Sequence, residues 1–71
     1  MRKENEHKYG RAEADRMIRY IEQDGGIAAT FSTVQEALDD VNHTLSLEGI
    51  HLRDYYEAQR DVYVEHLNKR S

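Results

Sequence analysis

Apolar residues recur along this chain with the period of a helix. Ala14, Met17, Ile18 and Ile21 stand at i, i+3, i+4 and i+7, the stripe of an amphipathic helix. That stripe predicts a first helix over residues 11–23, stopped by Gly25-Gly26. The run Ile27-Ala28-Ala29-Thr30-Phe31 is short enough for a buried connector or a strand, and the connector is preferred. Val34, Leu38, Val41 and Leu45, widened by Ala37, make a second stripe over 33–48. Ser32 with Gln35 and Thr33 with Glu36 are overlapping capping-box registers at its start. Gly49 reads as the left-handed residue beyond its end, which places Glu48 at the last helical position. Ile50 is then expected to contact Leu45 in a Schellman ending. A third helix is predicted over 54–69, from the Asp54/Glu57 start through Tyr55, Tyr56, Val62, Tyr63 and Leu67. Leu52 is expected to pack just before it, and Lys69 and Arg70 complement its macrodipole.

These elements specify an all-α fold, a small bundle of about three helices. Residues 1–10 are almost entirely polar and are expected to form a frayed arm, leaving 11–70 as one helical domain. The 71 residues allow a single domain. A core of that size rarely supplies more than about 3–5 kcal/mol, so a partner that binds the folded form adds stability of consequence. There is no Cys, which removes disulfides, thiol catalysis and cysteine zinc sites. No stretch approaches the roughly 20 apolar residues of a membrane span. The start MRKENEHKYGRAEADR lacks the apolar centre of a secretory signal, so a cytoplasmic location is expected.

Charge narrows the partners. Fourteen acidic residues against ten basic ones give a net charge of −4, which disfavours a general nucleic-acid binder. The arm cations Arg2, Lys3 and Lys8 read as solubilising. From Ser32 to Glu48 the chain carries Glu36, Asp39, Asp40 and Glu48 with no Lys or Arg. Such a helix repels itself slightly and is relieved by a basic surface opposite it.

Little in the residues points to catalysis. Asp39 and His43 have an i, i+4 metal-ligand spacing, but His7, His51 and His66 are scattered and no closed metal site is expected. No Gly-rich phosphate loop exists, and neither enzymatic activity nor a cofactor is expected. Tyr55, Tyr56 and Tyr63 recur at helical spacing, which favours core or interface packing over base stacking. Leu47 lies off the second stripe, beside Asp40 and His43, and is the apolar residue least explained by an internal core.

Thr44-Leu45-Ser46-Leu47-Glu48-Gly49 carries a more specific pattern. It resembles the inhibitory motif of the antitoxins of Fic-domain toxins: Ser or Thr, three residues, Glu, then Gly or Asn. In the small separate antitoxins of the VbhA-like class the motif often ends in Leu-Glu-Gly and an apolar residue, as Leu47-Glu48-Gly49-Ile50 does here. The resemblance covers about residues 34–52. It implies that the chain binds a Fic-domain AMP-transferase. The resemblance implies an active-site motif with two Arg in the toxin, and Glu48 would pair with the second, where the ATP γ-phosphate should dock. Thr44 and Glu48, read as one helical turn apart, would share a side, with Thr44 assisting and Gly49 turning the chain away. Leu38, Val41, Leu45, Leu47, Tyr55 and Tyr56 are the expected partner-contacting residues, the stripes either docking on the toxin or closing the bundle. Two other readings stand beside this one: a self-associating regulatory module that buries its stripes in a homodimer, and an acidic inhibitor of a basic nucleic-acid-binding protein.

Overall fold

The computed structural model describes residues 3–23 and 31–70. They form helices α1 (Lys3–Gln23), α2 (Val34–Leu45) and α3 (Arg53–Arg70). The radius of gyration is 12.0 Å, close to the roughly 11 Å expected of a globular chain of this length. The helices therefore close on themselves as a small all-α bundle. Gly25-Gly26 and the connector at residues 27–30 lie outside the described residues.

Helix α3 is the element on which both others pack. Gly10 of α1 lies at Tyr55 and Ala58, near the start of α3. Further along, Glu22 meets His66 at 2.9 Å. Those two contacts show that α1 and α3 run in the same direction. Arg11 adds an exposed tie to Glu65 at 3.2 Å, of the sort that contributes about 0–1 kcal/mol. The main cohesion is apolar. Ala14 and Ile21 from α1, Val34, Ala37, Leu38 and Val41 from α2, and Val62 and Tyr63 from α3 form the buried core. Met17, Ile18, Phe31, Leu45 and Leu67 pack against its edge.

The start of α1 departs from the expectation of a frayed arm over residues 1–10. The helix begins at Lys3, eight residues before Arg11. Two causes combine. Lys, Glu and the later Ala residues are good helix formers, and Gly10 is buried inside the helix at its crossing with α3. A side-chain-free position lets the two backbones approach closely, so tertiary contact holds a segment that its polarity alone would leave loose. The single helical domain thus extends back to residue 3.

At α2, the structure selects Thr33 from the two cap registers. Its hydroxyl accepts the Glu36 N–H at 3.1 Å, while the Glu36 carboxylate accepts the Ser32 N–H at 3.2 Å. This is a capping box with its return bond moved back by one residue. Helix α3 starts at Arg53, one residue before Asp54.

Candidate functional site: the turn between α2 and α3

The distinctive segment falls at the C-terminal end of α2 and the turn that follows. The last helical residue is Leu45, and Ser46 is the cap. The Ser46 N–H donates to the carbonyls of Asn42 and His43, each at 3.1 Å, and Leu47 N–H donates to Thr44 O at 3.2 Å. Side chains tighten the same turn. Thr44 Oγ1 donates to Asp40 O at 3.1 Å, and Ser46 Oγ donates to His43 O at 2.6 Å. Hydroxyls that bond nearby carbonyls compete with regular helical bonding. The Ser46 hydroxyl on His43 O, the carbonyl that Leu47 N–H would take in a continued helix, favours the ending at Leu45 over one at Glu48.

That ending corrects two expectations. Leu45 is the last helical residue and not the C3 position of a Schellman ending, although Gly49 does adopt φ of 70°. Thr44 and Glu48 are likewise not one helical turn apart, because Glu48 stands beyond the helix. The Thr44 hydroxyl is used on the backbone of its own helix, so its contribution is to shape the end of α2.

Glu48 is exposed on the turn. Among the described residues, no hydrogen bond or ion pair holds its carboxylate. Gly49 follows in the left-handed region, and a Cβ built there would meet nothing within 4 Å. The position therefore needs a residue tolerant of positive φ and imposes no size limit, a requirement that Gly or Asn meets. Leu47 is 50% exposed beside Glu48. Leu52, expected to pack just before α3, is instead 40% exposed with φ of 60°.

The residues expected to contact a partner divide into groups. Leu38 and Val41 are 8% and 5% exposed and belong to the chain's own core, so of the two uses expected of the stripes, they close the bundle. Leu45 is half-buried at the core edge. Leu47, in the turn beyond α2, is exposed. Tyr55 and Tyr56 are half-buried, with their rings 5.2 Å apart in an edge-to-face arrangement at 84°. Desolvation, then the nearby Glu13 carboxylate and Tyr56, raise the Tyr55 phenol above its ordinary pKa, against a smaller lowering by Arg16. Tyr55 also lines a shallow notch of about 350 Å³ with Tyr9, Ala12, Glu13 and Arg16.

Electrostatically, the outer face of α2 is one-signed. Glu36, Asp39 and Asp40 are exposed, and the cations nearest to carboxylates pair elsewhere: Arg11 with Glu65, Arg16 with Glu13, and Arg60 with Glu57 and Asp61. Asp39 accepts a bond from Gln35 Nε2 at 3.0 Å. Among the described residues, no three or more His, Cys, Asp or Glu side chains gather as a metal site would require. No helix among them is long and apolar enough to cross a membrane.

Two features escaped the sequence reading. The spacing of Gly10 and Ala14, four apart on α1, signals a close helix crossing against a small residue such as Ala58. For the left-handed Leu52 there is no signal at all, since leucine is a poor resident of that region. Compared with known protein families, curated proteins and solved structures, the chain matches none of them.

Proposed function

We propose that this chain is a small helical antitoxin that binds a Fic-domain AMP-transferase in the cytoplasm and obstructs its ATP site. The observation that carries this reading is the Glu48 carboxylate, exposed on the turn beyond α2 and held by no described residue. Left-handed Gly49 supports it, because open space at positive φ accounts physically for the Gly-or-Asn alternative of the motif that this segment resembles.

In this reading the turn enters the toxin's nucleotide site. Glu48 meets the second arginine of the toxin motif where the γ-phosphate would sit. A carboxylate and a planar guanidinium form a bidentate pair, strongest where water is excluded. ATP is then held in an unproductive pose or not at all, and no AMP reaches the target hydroxyl. Leu47 and the Tyr55–Tyr56 pair contribute partner contacts, while Leu38 and Val41 support the turn from within the bundle.

The test uses the Fic-domain protein encoded in a neighbouring reading frame, recognisable by its His-Pro-Phe and Gly-Asn-Gly-Arg segments. Wild-type chain is expected to suppress AMP transfer, and Glu48→Gly to form the complex while restoring transfer. Full inhibition by Glu48→Gly would overturn the proposal. One observation favours a second reading: the exposed Glu36, Asp39 and Asp40 on α2 suit a basic protein surface. An acidic inhibitor of a nucleic-acid-binding protein would lose affinity steeply with salt and through those three residues, with Glu48 of no special weight.

A further inference from the structure

Leu52 occupies a position that the fold itself does not explain. Its φ is 60°, in the region leucine avoids, yet 40% of its surface is exposed. It also directly precedes Arg53, the first residue of α3, and its carbonyl accepts the Tyr56 N–H at 3.2 Å. That is the N-cap position, where Asn, Asp, Ser, Thr or Gly is favoured and Leu is not. Backbone conformation and cap chemistry thus both call for a different residue. Strain of this sort persists where another requirement over-determines it, and such requirements cluster at binding sites. Leu47, at the other end of the same turn, is 50% exposed, and Glu48 and left-handed Gly49 lie between the two leucines.

The surrounding charge specifies the occupant. From Ser32 to Asp54 the chain carries five carboxylates against a single cation, the exposed Arg53 beside Leu52. A turn that offers two leucines and a carboxylate from an acidic surface fits a cationic pocket with an apolar rim. An anionic membrane would repel it. A nucleotide-binding pocket has the matching chemistry, with cations for phosphate and apolar walls for the base.

We infer that Leu47 and Leu52 are paired apolar anchors which seat on the rim of the partner's phosphate pocket and set how deeply Glu48 enters it. This rests on the AMP-transferase reading given above. Leu52 combines a left-handed backbone with a 40% exposed side chain, and the fold accepts a poorer helix start in exchange.

The experiment measures both stability and binding. Leu47→Ser and Leu52→Asn chains are compared with wild type by thermal denaturation and by calorimetric titration into the purified Fic-domain AMP-transferase. Asn tolerates positive φ and suits an N-cap, so Leu52→Asn should leave the melting temperature unchanged or higher. Leu47→Ser should keep it within about 4 °C, as surface substitutions do. Each should weaken binding at least about ten-fold, as the loss of an interface anchor does. Wild-type affinity in both variants would overturn the anchors while leaving the Glu48 mechanism standing. A melting temperature lowered by more than about 8 °C in Leu52→Asn would assign Leu52 to this chain's own fold and overturn its role as an anchor. If the wild-type chain neither binds nor inhibits the enzyme, the AMP-transferase reading falls, and the anchors with it.

Discussion

Replacing Gly10 by Ala probes the crossing of α1 and α3. An added Cβ would overlap Tyr55 O and lie 2.9 Å from Ala58 Cβ and 3.0 Å from Tyr55 C. Ordinary non-bonded contacts sit near 3.5–4.0 Å, so the helices must separate by roughly 1 Å. The opposing atoms include a backbone carbonyl, which has no side-chain torsion by which to swing away. Overpacking of this kind costs about 1–3 kcal/mol, here toward the upper end. Against it stands the higher helix propensity of Ala, worth about 1 kcal/mol. The net expectation is a loss of about 1–2 kcal/mol, or a melting temperature lowered by about 5–15 °C. Far-UV circular dichroism during thermal denaturation reads it directly. Ala12→Gly, at an exposed site of the same helix, separates the two contributions, because it costs about 1 kcal/mol through propensity alone. Stabilisation by Gly10→Ala would refute the close approach and return residues 3–10 to the status of a loose arm.

Other outcomes follow from the same geometry. Thr33→Ala removes the acceptor for the Glu36 N–H and should cost about 0.5–2 kcal/mol by denaturant titration. Gly49→Ala should destabilise by about 1 kcal/mol because φ is positive there, and Gly49→Asn by less, since open space leaves conformation as the sole constraint. Burial, then Glu13, Tyr55 and Asp40, push the Tyr63 phenol up to about 12. The folded chain then holds a proton that the unfolded chain releases near 10, so stability is intact below pH 10 and falls as pH rises toward 12. Denaturation midpoints across that range should decline in wild type and decline less in Tyr63→Phe.

The legible part of this molecule is the part governed by repeating patterns. The stripe Val34, Leu38, Val41 became a buried helix face because one period satisfies both local propensity and core burial. The same logic found the all-α architecture and the start of α2 at the Thr33–Glu36 box. Part of what escaped depended on contacts between segments far apart in sequence, and part on local hydrogen bonds and backbone conformation. Residues 3–10 read as an arm because their polarity says nothing of α3, against which Gly10 rests. The end of α2 moved from Glu48 to Leu45 through three-residue detail, the Ser46 hydroxyl taking the His43 carbonyl that Leu47 N–H would have used in a longer helix. Because the candidate site begins where α2 stops, this shift changed its form. Glu48 and Gly49 are legible from their spacing to Thr44, yet they stand on a turn and not on a helix, and the positive φ of Leu52 is a backbone conformation that no side-chain preference announces.

The most direct measurement is the energetic coupling between Glu48 and the second motif arginine of the AMP-transferase. Complex affinities would be determined for wild type, Glu48→Gly, the arginine-to-alanine enzyme and the doubly substituted pair. A carboxylate seated against that guanidinium predicts a coupling of about 2–5 kcal/mol. A coupling within about 0.5 kcal/mol of zero, with the two substitutions acting independently, would contradict the claim that Glu48 occupies the phosphate's place.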